Sequence, residues 1–129
     1  MGEINESIAF QKPNGQHSVV ELLWHMVTWK EFTISRFHED NEKMLHYFEK
    51  NDWRELAHSD ESLWKEGLDI FEQLHNELIV VIQQLKDEIL SRTVPERTYN
   101  YWKLLYGILE HDIYHIGQIV YMKKVLESK

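Results

Sequence analysis

The sequence predicts an all-helical fold, a helical bundle. Three observations carry this reading. Apolar residues recur at steps of three and four over three long stretches, as one face of a helix requires. The two prolines, Pro13 and Pro95, fall where those stretches join. No stretch shows the two-residue period of a half-buried strand, and there is no internal repeat. A chain of 129 residues fits one domain, residues 1–129, with a real core.

Residues 3–11 are expected to form a short helix, stopped by the turn signal Lys12-Pro13-Asn14-Gly15. The next helix runs from about Ser18 to about Phe37, with Leu22, His25, Trp29 and Phe32 as its inward stripe. Residues 39–58 are polar and weakly patterned; Met44 to Phe48 suggest one or two helical turns, and Asn51-Asp52 a break. Ser59 reads as an N-cap, with Asp60 and Glu61 suiting the positive end of a helix that reaches about Ser91. The stripe of that helix is Trp64, Leu68, Phe71, His75, Leu78, Ile82, Leu85 and Ile89. Arg92 to Thr98, with Pro95, is a connection. The last helix spans about Asn100 to Glu127, striped by Leu104, Ile108, His111, His115, Gln118 and Met122. The stripes hold enough large side chains for the metal-free chain to fold.

Acidic residues outnumber basic ones by 22 to 14, a formal charge of −8. That field repels phosphate, so neither nucleic acid nor an anionic membrane is an expected partner. With no cysteine there is no disulfide and no thiolate metal site. No apolar run approaches the ~20 residues of a membrane span, and Met1 to Ala9 lacks a signal-peptide core. A cytoplasmic location is the expectation. Hydrophobic residues make up 43% of the chain, near the globular average, which argues against disorder.

Eight histidines are present. His17, His38, His46 and His58 lie at helix ends or in polar segments and read as solvated surface groups. His111 and His115 are four apart on an otherwise apolar helix face, so two rings on successive turns can chelate one ion. The spacing by itself suits a pair of satisfied histidines as well as a metal site. Asp112 stands where a zinc protease has the glutamate of H-E-x-x-H, and no histidine follows His115. A third ligand would come from upstream, where His25 and His75 both sit on apolar stripes. His25 is preferred, because it is mid-helix between Leu22 and Trp29 and facing bundle helices would bring it level with the pair. His75, also mid-helix, is not excluded by spacing; it reads as buried and hydrogen-bonded or as leaning outward.

At these residues the chain resembles the DinB-like superfamily, which includes the YfiT-like proteins. The resemblance rests on Ser18-Val19-Val20-Glu21-Leu22-Leu23-Trp24-His25 with Trp29, and on His111-Asp112-Ile113-Tyr114-His115-Ile116-Gly117-Gln118. The region of Trp53 and Trp64 is similar as well, and the match runs from about residue 16 to residue 126. It implies a four-helix bundle of up-down-down-up connectivity, its first helix here short or incomplete, and metal ligation by His25, His111 and His115. The implied cofactor is a divalent ion, zinc or nickel first and iron after them. The family includes metal-dependent thiol S-transferases and thiol-dependent isomerases, so the implied substrate is a small molecule, a low-molecular-weight thiol. Two departures stand out. Members usually open with a long first helix, and a basic residue often follows the last histidine where Ile116 stands here.

Three imidazoles leave open coordination positions, which suits catalysis rather than a structural site. Glu21 one turn before His25, Gln118 on the histidine face and Tyr114 beside the pair are candidate supporting residues. Trp24, Trp29, Trp64 and Trp102 read as core or helix-packing residues. The functional readings, in order, are a thiol transferase, a metal-dependent hydrolase or isomerase, and a non-catalytic metal-binding or stress-response bundle. The short first helix, with five Trp, six Tyr and five Phe in the chain, predicts a homodimer.

Overall fold

The structure, a computed structural model, describes residues 4–38, 44–57 and 59–128. His58, residues 39–43 and the first residue of the expected opening helix lie outside them. The described residues form five helices: α1 (Glu6–Ala9), α2 (Val19–Phe37), α3 (Leu45–Lys50), α4 (Ser62–Gln84) and α5 (Tyr101–Glu127). Two 3-10 turns, Pro13–Gly15 and Asp87–Ser91, lie between them. Among the described residues there is no strand, only an isolated antiparallel bridge from Thr93 to Asn100. None of their helices is long and apolar enough to cross a membrane.

Helix α2 begins with a reciprocal cap. The Ser18 hydroxyl accepts from the Glu21 N–H, and the Glu21 carboxylate accepts from the Ser18 N–H. The rest of α2 is buried on nearly every face. Helix α4 packs along one side and α5 along another, while α1 touches both α2 and α5. One apolar cluster joins Val19, Leu23, Trp24, Met26 and Val27 of α2 to Trp64 of α4 and Ile119 of α5. A second gathers Phe32, Phe48, Val94, Tyr101 and Leu104 at the other end of the bundle.

Four boundaries or stripes differ from the expectation. Helix α1 has four residues rather than nine; Asn5 caps it and Phe10 closes it. Helix α4 starts at Ser62, because Asp60 takes the Ser62 N–H on its own carboxylate and so holds residues 59–61 outside the helix. It stops at Gln84 rather than near Ser91. Its buried seam is Trp64, Gly67, Leu78 and Val81, with Phe71 and Leu74 partly covered, and not His75 or Ile82. Beyond Val81 no residue of α4 is buried, and the chain turns so that Ile89 reaches the second cluster. Trp102 is exposed rather than packed, one of a row of exposed apolar residues on α5 with Tyr106, Leu109, Ile113 and Val120.

Helices α2 and α4 meet closely at Gly67. A Cβ there would stand 2.7 Å from Leu23 Cδ2 and 3.0 Å from Trp24 Nε1, and that Nε1–H is committed to the Leu63 carbonyl at 3.0 Å. Gly67→Val should therefore destabilise the protein by about 1–3 kcal/mol through overpacking. Thermal melting followed by circular dichroism would show a drop of several degrees; an unchanged melting temperature would contradict the close contact.

Candidate metal centre

The cluster forms where the middles of α2 and α5 face one another. His25 comes from α2; His111 and His115 come from successive turns of α5. One donor nitrogen from each ring lies within 4.8 Å of the other two. The Nε2 atoms of His25 and His111 are 2.9 Å apart. His75 stands exposed on α4 and takes no part, so of its two readings the outward one holds.

Two of the three rings are fixed through Nδ1. His25 Nδ1 is 2.9 Å from the Asp52 carbonyl oxygen. A carbonyl can only accept, so the proton of the neutral ring is on Nδ1 and the Nε2 lone pair faces the cluster. His115 is set in the same way: its Nδ1–H donates to Gln118 Oε1 at 2.6 Å. Ligating histidines are commonly oriented by such partners. Gln118, a candidate supporting residue, is thus hydrogen-bonded to one of the three rings.

Asp52 and Trp53 have a larger part than the sequence suggested. Asp52 Oδ1 lies 3.0 Å from His25 Nδ1 and accepts from Trp29 Nε1 at 2.6 Å. The neighbouring Asn51 carbonyl accepts from the Thr28 hydroxyl. The turn after α3 is thus tied to one face of α2. It delivers Trp53 against His25, with ring centroids 4.0 Å apart and planes 2° from parallel. The second face of Trp53 is covered by His17, at 3.7 Å and 1°. His17, expected as a solvated surface group, is exposed and in addition stacked on Trp53. Sequence spacing held no signal for these contacts, because Asp52 is 27 residues from His25; the Asn51-Asp52 break showed only that the chain turns there.

Glu21 is engaged away from the three rings. Besides capping Ser18 it lies 3.4 Å from His17 Nδ1 and 3.5 Å from Lys12 Nζ. Burial raises its carboxyl pKa, but the Ser18 N–H, His17 and Lys12 outweigh it and hold the net value below the ordinary one. Tyr114 is exposed, with its ring edge-on to His115 at 5.2 Å, and it forms a wall. That wall belongs to a cleft of about 520 Å³ that ends on His115, lined also by Trp53, Gln118 and Tyr121. A second cleft, of about 320 Å³, ends on His111 between Trp29, Tyr99, Lys103 and Glu110.

Burial lowers the pKa of His25, and the neighbouring His111 and His115 add to the effect. Burial likewise lowers that of His115. Both rings are therefore neutral at pH 7, the form that offers a lone pair. Three converging imidazole nitrogens, with the outer Nδ1 of His25 and of His115 tied back, are a donor set that suits zinc, nickel or iron. The cluster could hold one metal ion.

Fold and site together define an all-helical bundle with a three-histidine cluster between two of its long helices. A family model described as the DinB superfamily matches residues 3–119, and the chain belongs to that superfamily. No curated protein and no solved structure matches it significantly.

A pH dependence follows from the two shifted rings. Their folded pKa values lie below the ordinary 6.5, so between those values and 6.5 the unfolded chain binds more protons than the folded one. The stability of the metal-free protein should be fully present above pH ~6.5 and fall as the pH is lowered through and below it. Chemical denaturation at a series of pH values reads this directly. His25→Gln should flatten the slope; an identical slope in that variant would show that its ring is not strained toward neutrality.

Proposed function

We propose that this protein is a metal-dependent transferase acting on a low-molecular-weight thiol, with His25, His111 and His115 as the ligands of one divalent ion. The observation that carries the reading is the convergence of three imidazoles, two of which, His25 and His115, have their outer nitrogens held by Asp52 and Gln118. Among the described residues the cluster contains these three groups alone, which leaves coordination positions for a substrate. An ion so held supplies Lewis acidity and favours ionisation of a sulfur ligand at neutral pH. The chain's part is to bring the three rings together, to fix His25 and His115 and hold their pKa values down, and to shield one side with the Trp53 stack. Two separate clefts reach the cluster, one at His111 and one at His115. That arrangement favours a reaction joining two molecules over hydrolysis of one. Zinc and nickel suit the nitrogen donors best, and iron follows.

Metal analysis of the purified protein should give about one ion per chain. His25→Ala, His111→Ala and His115→Ala should each lower it sharply, whereas His75→Ala should not. Full retention in any of the first three would remove that residue from the site. Turnover of a small thiol with an electrophile, measured with and without added metal, tests the chemistry. Full metal occupancy without turnover would leave the non-catalytic metal-binding reading in its place.

A homodimer belongs to the same proposal. Its support is the exposed row Trp102, Tyr106, Leu109, Ile113 and Val120, whose first steps of four, three and four are those with which two copies of a helix interdigitate. Light scattering at tens of micromolar should return the mass of two chains, and a monomer mass would count against it.

A further inference from the structure

Of the three rings, His111 has no anchor of the kind that Asp52 and Gln118 give the other two. Its Nδ1 is buried and makes no hydrogen bond. The nearest carboxylate oxygen, Asp112 Oδ1, is 3.8 Å away, and it too is buried without a hydrogen bond. The other oxygen of the same carboxylate, Oδ2, is 2.6 Å from the Lys30 ammonium. Lys30 is 1% exposed, reaches across from α2, and lies over the ring of Phe71 at 4.7 Å. A buried ion pair is weak as a stabilising device, since apolar residues of similar size often do as well or better. Its presence one residue from His111 therefore calls for a different account.

Tautomers provide it. His25 presents a bare Nε2, so at 2.9 Å the shared proton must sit on His111 Nε2. His111 Nδ1 is then bare as well and faces a carboxylate oxygen, lone pair against lone pair, which accounts for a separation too long for a hydrogen bond. For His111 to offer Nε2 to a cation, the neutral ring must carry its proton on Nδ1 instead. The same carboxylate oxygen then becomes an acceptor placed to receive it.

We infer that Asp112 is the positioning residue of His111: it accepts from Nδ1–H when Nε2 binds a metal ion, and Lys30 holds the carboxylate in place for that task. The change from one tautomer to the other releases the Nε2 proton to solvent and takes one up at Nδ1, with no net change. The inference rests on the proposed metal site.

The full-length chain is titrated with zinc against a competing chelator. Lys30→Met/Asp112→Leu removes the pair as a whole and keeps the volume, so the helical spectrum and a cooperative melt should survive. Its zinc affinity should fall about 10–100-fold, the usual cost of losing such a partner. Lys30→Met/Asp112→Asn restores an acceptor oxygen without the charge and should recover most of that loss. A Leu variant that binds zinc as tightly as the parent overturns the inference while leaving the metal site standing. A parent chain that binds no zinc overturns both. If the Leu variant does not fold, nitrogen–proton correlation spectra of the zinc-loaded parent decide. A slowly exchanging proton on His111 Nδ1 supports the assignment, and an unprotected one overturns it.

Discussion

Helix α2 is covered on almost all sides: fourteen of its nineteen residues are buried. Burial of that extent favours partners inside the protein for the polar side chains of the helix, because an unpaired group in the interior costs more than a made hydrogen bond returns. Much of the polar architecture follows. His25 is met by Asp52, Lys30 by Asp112, and Arg36 by Glu96 at 3.2 Å. The hydroxyls of Thr28 and Thr33 turn back onto the carbonyls of Trp24 and Trp29, and Thr28 also accepts from Arg54. Glu96 adopts a positive φ of 63°, uncommon for a side chain of its kind, and its carboxylate receives both Arg36 and the Leu45 N–H. The joints between helices are set by the needs of α2.

The three-histidine cluster is one instance of that rule. A histidine in the middle of a buried helix needs an acceptor for its proton, and the turn after α3 supplies it. Once Nδ1 is bound, the other nitrogen can point only into the space between α2 and α5. There two histidines on adjacent turns of α5 complete the cluster, and Gln118, one turn further along, fixes the second of them. Direction thus comes from the outer contacts of the rings, and the helices contribute their spacing.

The three long helices were legible because their apolar periods are long and regular. The three histidines were legible for the same reason, since each interrupts an apolar stripe at mid-helix. The register of α4 was not. Its apolar residues are dense enough, with Ile79, Val80, Val81 and Ile82 in succession, that two stripes fit, and the one through His75 and Ile82 proved to face outward. Lys30, Asp112 and Arg36 were missed because an ionisable residue on an amphipathic helix is ordinarily assigned to the solvent side. The near-continuous apolar run from Val19 to Val27 was the available sign that α2 has no such side. Asp52 and Trp53 depend on a turn closing over a distant helix, which no local pattern encodes.

Trp53 lies between two imidazoles, nearly parallel to both and about 4 Å from each. The π face of an indole responds to positive charge at that range. Any charge gained by His25, whether from a proton or from an ion on its far nitrogen, is thus placed against a chromophore. By that argument the light emitted by this one indole, and its near-ultraviolet dichroism, should respond to the state of the three-histidine cluster. The protein carries its own optical gauge, built from the contact that orients the ring.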